Sequence, residues 1–272
     1  MVVAPLYMHH GADPFFNMAF DEWMFGCVLT QPGMILVRLY SWSPGAITFG
    51  LNQRESSAYD HAALEDTPVI RRVTGGRAIY HDPSEITYSV AINTRNLIHE
   101  RLAGGVSQSS TAIAETLAEF VRLQGVPADY QKQSSADNAR PDFFHTAPCF
   151  ASHARYELIA KGRKIVASAQ RRLDEAFLQH GSIKLTGVVN HPALHRLSDA
   201  VANNLQPVTE KRFSQMRRPL EAAFSKKLGV TLKCTERADE DFPGLAGVIA
   251  GVRKNASNKR DIIKQSANVG SL

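Results

Sequence analysis

The alternation of apolar and polar positions marks out strands for most of the chain, with helices near its start, middle and end. The first strong element is a helix over Pro14–Leu29. Phe15, Ala19, Trp23 and Cys27 recur every four residues, with Phe16, Phe20 and Met24 beside them, which forms a wide apolar stripe. Asp13 suits the N-cap and Pro14 the first helical position. The stripe places Cys27 in the core. Apolar runs at Met34–Tyr40, Ala46–Leu51 and Val69–Val73, separated by turn residues, read as strands. From Ile86 the period is two. Ile86, Tyr88, Val90 and Ile92 alternate with Thr87, Ser89, Ala91 and Asn93, as on a half-buried strand with one apolar and one polar face.

A second helix is expected over Ser110–Leu123, with Ile113, Leu117, Phe120 and Val121 on one face and Gly125 as its stop. The stretch from Asp129 to Phe150 has no regular period; loops of that length in compact domains are often functional. YELIAKGRKIVASAQ (Tyr156–Gln170) reads as two strands turning at Lys161-Gly162, and AFLQHGSIKL (Ala176–Leu185) as another. Pro219 opens a last helix carrying Leu220, Phe224 and Leu228, ended by Gly229. Strands and helices do not alternate strictly. The fold class is therefore α+β, a largely antiparallel or mixed β-sheet flanked by helices.

Composition adds limits. The chain has 272 residues, 44% of them hydrophobic, enough for a sizeable core. No apolar run reaches the roughly 18 residues of a membrane span, and the first residues do not read as a secretory leader. Three widely spaced cysteines suggest no disulfide framework and point to a reducing cytoplasm. The net charge is +5. Much of it comes from Arg253, Lys254, Lys259, Arg260 and Lys264 against Asp261. The expected organisation is a catalytic domain over residues 1–250 and a basic, flexible tail over 251–272. No repeated basic–aromatic pattern supports nucleic-acid binding.

Three segments could carry chemistry. RRVTGGRAIYHD (Arg71–Asp82) sets Gly75-Gly76 between strand-like runs, with Arg71, Arg72 and Arg77 around them. Paired glycines let a ligand approach backbone N–H groups, and the guanidiniums suit a carboxylate, phosphate or polarised carbonyl. A plain hairpin turn explains the same residues equally well. GRKIVASAQ (Gly162–Gln170) places Lys164 ahead of small and apolar residues, where it could face an oxyanion or phosphate; spacing alone favours a surface lysine. Cys149 in HTAPCFASH lies four residues from both His145 and His153. Pro148 and the lack of a fourth ligand argue against a metal site. Local chemistry leaves a buried thiol and a nucleophile both open.

Taken together, these segments resemble the biotin/lipoate protein ligase superfamily. NMAFDEWM (Asn17–Met24), PGAITFGLNQ (Pro44–Gln53), RRVTGGRAIYHDPSEITYSV (Arg71–Val90) and GRKIVASAQRR…FLQHGSIKL stand in the superfamily's order. GGRA (Gly75–Ala78), in place of the GGGA of lipoate ligases, and APCF (Ala147–Phe150) are similar to the LipM-type lipoyl-domain octanoyltransferases. The resemblance implies that Cys149 is the acyl-accepting nucleophile and Lys164 the active-site lysine. It implies an acyl pocket formed with Arg72, Thr74, Gly75, Gly76, Arg77, His81, Ser168 and Ala169. Val166 stands where the family usually has a small residue, which implies an altered pocket wall beside Lys164.

The implied activity is octanoyl transfer from octanoyl-acyl carrier protein to a lipoyl-domain lysine, with no cofactor and no metal. Acceptors would be proteins such as glycine cleavage H protein or a 2-oxoacid dehydrogenase E2. Both protein partners are expected to be acidic, complementing basic patches near Arg71, Arg72 and Arg163. The alternatives are an ATP- and Mg²⁺-dependent lipoate–protein ligase working through an acyl-adenylate, and a non-catalytic binder of acyl carrier or lipoyl domains.

Overall fold

The computed structural model describes residues 2–97, 100–132, 156–160, 163–187, 189, 191–194, 205–235 and 242–256. Its frame is a mixed eight-stranded sheet. The chain enters it as β1 (Val2–Ala12), crosses it as α1 (Pro14–Thr30), and returns as β2 (Ile35–Trp42), which pairs parallel with β1. Next come β3 (Ala46–Phe49), β4 (Val69–Arg71) and β5 (Ile79–His81), a separate three-stranded sheet ordered β4-β3-β5. The chain rejoins the large sheet with β6 (Ile86–Asn93). Two helices follow, α2 (Glu100–Ala103) and α3 (Val106–Leu123), then β7 (Asp129–Lys132), β8 (Tyr156–Ala160), β9 (Arg163–Leu173) and β10 (Ala176–Ile183). Last are α4 (Glu210–Gln215), α5 (Arg217–Leu228), β11 (Val230–Cys234) and a helical stretch over 245–256. The large sheet has the order β11-β1-β2-β6-β10-β9-β8-β7. Among the described residues of that sheet only the β1 pairings, to β2 and β11, are parallel.

Both faces of the sheet are covered. On one, Val37, Leu39, Tyr88, Val90 and Phe177 pack with Ile113, Leu117 and Phe120 of α3 and with Leu220 and Phe224 of α5. On the other, Leu36, Ala91 and Leu178 pack with Phe20, Met24 and Val28 of α1 and with Phe242 and Leu245. β6 is therefore buried along its whole length rather than half exposed. Its polar face lies under α1: the Ser89 hydroxyl donates to Asp21 (2.7 Å) and the Asn93 amide donates to the Val28 carbonyl (2.7 Å). Those hydrogen bonds are what make burial of the polar face tolerable.

The local signals behave as the residues dictate. The Asp13 carboxylate accepts from the backbone N–H groups of Phe15 and Phe16, and Pro14 takes the first helical position. Gly229 stops α5 in the left-handed conformation, at φ 59°. Cys27, expected in the core, is half-buried, and its thiol pKa is raised by that burial. The helix over 245–256 runs through residue 250, where the basic tail was expected to begin. Val252 packs against α1 residues, and the Arg253 guanidinium contacts the Asp13 carboxylate at 3.4 Å. Among the described residues no helix is long and apolar enough to cross a membrane.

Candidate active site

The small sheet is laid against α1 and the β6–β10–β9 part of the large one, and a narrow slot opens between them. Its walls are Met18 of α1, Tyr40 of β2, Thr48, Arg72, Ile79, His81 and Thr87, with Ala167–Ala169 of β9 and His180–Ser182 of β10. The slot holds about 30 Å³ of free space. Anything larger than a water molecule would enter only as side chains such as that of Met18 give way, and an unbranched thioether does so readily.

Beside the slot lies the turn Thr74–Arg77, held by Arg72. That side chain is buried, and its guanidinium donates to the Gly75 carbonyl (2.8 and 3.1 Å), the Arg77 carbonyl (2.8 Å) and the Thr48 hydroxyl (3.2 Å). Gly76 at the apex has φ 91°, open to glycine and strained for other residues. The Leu51 N–H donates to the Thr74 carbonyl at 2.8 Å. Directly beneath, a Cβ on Gly50 would sit 2.0 Å from the Gly76 carbonyl oxygen, so any side chain there would push the turn away. Because C=O and N–H of a trans peptide point in opposite directions, the Gly75 carbonyl that faces Arg72 turns the Gly76 N–H away from the guanidinium.

Two buried polar chains end at this turn. In the first, the Thr74 hydroxyl lies 2.6 Å from His180 Nε2, and His180 Nδ1 lies 2.8 Å from the Asp21 carboxylate. Asp21 also accepts from Tyr40 OH (2.8 Å), from Ser89 and from Arg38 Nη1 (3.1 Å). Burial alone would raise the Asp21 pKa; the His180 hydrogen bond and Arg38 outweigh it and hold the carboxyl ionised. The Arg38 Nε–H donates to His9 Nδ1 at 2.9 Å. Burial, reinforced by Arg38, lowers the His9 pKa to about 2 and keeps the ring neutral.

In the second chain, His81 lies flat on Trp42, 4.0 Å between ring centroids. Its Nδ1 is 2.6 Å from Glu85 and its Nε2 2.8 Å from the Thr48 hydroxyl, which Arg72 also reaches. Glu85 also accepts from Ser182 (2.5 Å) and Thr87 (2.9 Å) and pairs with the buried Lys184, whose ammonium bonds Asp82 as well (2.5 Å). Burial works against the Glu85 charge, but Lys184 and His81 lower its pKa to about 2. Lys184 is held protonated by the two carboxylates in spite of its own burial. Burial lowers the His81 pKa although Glu85 pulls the other way. A neutral His81 that donates through Nδ1 accepts the Thr48 hydroxyl at Nε2, which leaves the Thr48 oxygen to accept from Arg72.

The structure thus brings together eight of the residues singled out in the sequence: Arg72, His81, Ser168 and Ala169 in the slot, with Thr74, Gly75, Gly76 and Arg77 beside it. The Ser168 hydroxyl bonds Tyr88 OH at 2.8 Å. Lys164 stands near the start of β9, three residues before the slot-lining Ala167, and is not among the slot's walls. Cys149, His145 and His153 lie outside the described residues. Two expectations need correction. Arg71 and Arg72 form no basic patch: Arg72 is buried, and Arg71 donates to the carbonyls of Gly50, Leu51 and Gln53 while stacking on Phe49. Val166 does not narrow the slot. It faces the α3 side with Leu158 and Ile183, and Ala167 supplies the slot wall. Asp21, Arg38, Glu85, His180 and Lys184 were not anticipated, yet each is an ionisable residue within an apolar stripe or strand, and such residues are seldom buried unless paired.

The lipoyl protein ligase A/B catalytic domain model matches residues 13–225. The octanoyltransferase LipM of Moorella thermoacetica is 36% identical over 177 residues, 64% of this chain and 62% of that protein. The chain spans about three fifths of the length of that relative and of the LipM proteins of Kyrpidia tusciae and an Exiguobacterium, 61% each. The LipM of Symbiobacterium thermophilum matches over more of its length: 35% identity over 251 residues, 83% of this chain and 87% of that one. Among solved structures, the bipartite lipoate protein ligase of Thermoplasma acidophilum superposes with a TM-score of 0.61 at 16% identity, covering 92% of each chain; at that identity the match speaks to fold.

Proposed function

Because the chain belongs to the lipoyl protein ligase A/B catalytic domain family, we propose that it transfers an octanoyl group from octanoyl-acyl carrier protein to a lysine of a lipoyl domain, through a thioester on Cys149 and without ATP or metal. The observation that carries this reading is the arginine-clamped turn beside a slot walled in part by Ala167 and Ala169, set within the segments that match the octanoyltransferases. An ATP-dependent ligase needs cations turned toward phosphates. Here the guanidiniums of Arg71 and Arg72 are committed to backbone carbonyls, which favours the transferase.

In the proposed reaction the Cys149 thiolate attacks the thioester carbonyl, and the carrier thiol leaves. The exchange of one thioester for another is nearly thermoneutral. The lipoyl-domain lysine, as a free amine, then attacks the enzyme thioester; the amine proton is lost, the Cys149 thiolate leaves, and an amide remains. Each step passes through an oxyanion. The outward-turned Gly76 N–H and Lys164 are the proposed stabilisers, and loss of one such donor costs about 10²–10³ in rate. Acyl-chain burial contributes about 0.8 kcal/mol per CH₂. The lipoyl domain of a glycine cleavage H protein or of a 2-oxoacid dehydrogenase E2 serves as the acceptor to test. Incubated with octanoyl-acyl carrier protein and without ATP, the protein is expected to raise the mass of such a domain by one octanoyl group. Modification that requires ATP, Mg²⁺ and free octanoate would instead establish the ligase.

A further inference from the structure

The positive charge of the first 250 residues is concentrated in one stretch of the chain that supplies no wall of the slot. Between Glu210 and Thr235 the chain has seven basic residues against Glu210 and Glu221. Elsewhere in the first 250 residues acids outnumber bases. α4 and α5 turn Phe213, Met216, Leu220 and Phe224 into the core and leave Lys211, Arg212, Arg217 and Arg218 exposed. Arg217 and Arg218 line a shallow hollow of about 440 Å³ at the junction of the two helices, with Ser214, Gln215 and Glu221. Arg217 is paired with Glu221 at 2.8 Å. Lys211, Arg212 and Arg218 have no acidic partner among the described residues.

This surface is tied to the slot by a short piece of chain. The Val208 N–H donates to the Pro83 carbonyl at 2.9 Å, two residues from His81 in the slot wall. Four residues lead from Val208 to Arg212. At about 3.6 Å per residue, Arg212 lies within roughly 27 Å of His81. A lysine on a lipoyl domain reaches only the length of its own side chain, so that domain must sit at the mouth of the slot. An acyl carrier delivers its thioester on a long flexible arm and can be held some distance away.

We propose that the α4–α5 face is the docking surface for the acidic acyl carrier protein. The proposal rests on the transfer reaction above for the choice of partner. Charges of this kind act through long-range attraction, raising association rates by about 10–10³ and making them salt-dependent.

The test uses the full chain carrying Lys211→Glu, Arg212→Glu and Arg218→Glu together. Affinity for fluorescently labelled octanoyl-acyl carrier protein is read by anisotropy, and transfer to a lipoyl domain is measured with octanoyl-acyl carrier protein and with octanoyl-pantetheine as donors. Carrier affinity is expected to fall about tenfold or more and to lose much of its salt dependence, with transfer from octanoyl-pantetheine unchanged. Unchanged carrier affinity would overturn the proposal. So would an equal loss with both donors at an unaltered melting temperature, which would assign the surface to the lipoyl domain. If charge reversal unfolds the protein, glutamine at the three positions gives the same comparison. A wild-type protein that binds the carrier through these residues yet transfers nothing would sink the reaction and leave the docking face standing.

Discussion

Gly50 and Arg72 show how much of the site depends on single side chains, or on the lack of one. Gly50 gives the turn room to lie against β3, and Arg72 ties its carbonyls down. In Gly50→Ala the new methyl meets backbone, which cannot rotate away, so the turn must lift. A loss of about 1–3 kcal/mol is expected, read by urea unfolding, with a larger proportional fall in acyl transfer than in stability. Gly26→Ala is the control. That glycine lies in the middle of α1 with nothing within 4 Å of an added Cβ, and the change should stabilise by about 0.5–1 kcal/mol. Wild-type transfer in Gly50→Ala would show that the turn does not shape the site.

At the scale of elements, the two buried chains join α1, β2, β6 and β10 to the small sheet, and they make stability depend on acid. His9 has a folded pKa far below its ordinary 6.5. Its contribution is complete above pH 6.5 and declines as pH falls from there. Glu85 is depressed from 4.5 to about 2. Its contribution is complete above pH 4.5 and is lost between 4.5 and 2. Melting temperature should fall gently below pH 6.5 and steeply below 4.5. Replacing the pair together, as Glu85→Gln with Lys184→Met, should flatten the steeper limb; an unchanged limb would remove Glu85 from the account. Most of these elements were legible in the sequence. The α1 stripe, the α5 stop at Gly229 and the strands around Ile86 and Ala176 followed from period and capping. The β1 and β11 strands did not: they are the parallel edge of the sheet, and their pairing is fixed by packing far along the chain. The alternation in β6 identified a strand but not its full burial, because nothing local says that α1 will cover Ser89 and Asn93. The Gly75-Gly76 turn was visible as a motif, whereas its clamp by Arg72 was not. Charge alone sent that arginine to the surface, and only the fold shows the carbonyls that pull it inward.

Over the whole molecule, chemistry is proposed for the slot between the sheets and docking for the basic α4–α5 face. The account requires that the described frame serve a nucleophile outside the described residues, and its central claim is the acyl-enzyme on Cys149. The most direct measurement is the intact mass of the full chain after incubation with octanoyl-acyl carrier protein, without ATP and without acceptor, compared with Cys149→Ala. The account predicts one octanoyl adduct that is sensitive to hydroxylamine, discharged by added lipoyl domain and missing from Cys149→Ala. An adduct that persists in Cys149→Ala, or rapid ATP-free modification of the lipoyl domain by that variant, would contradict it.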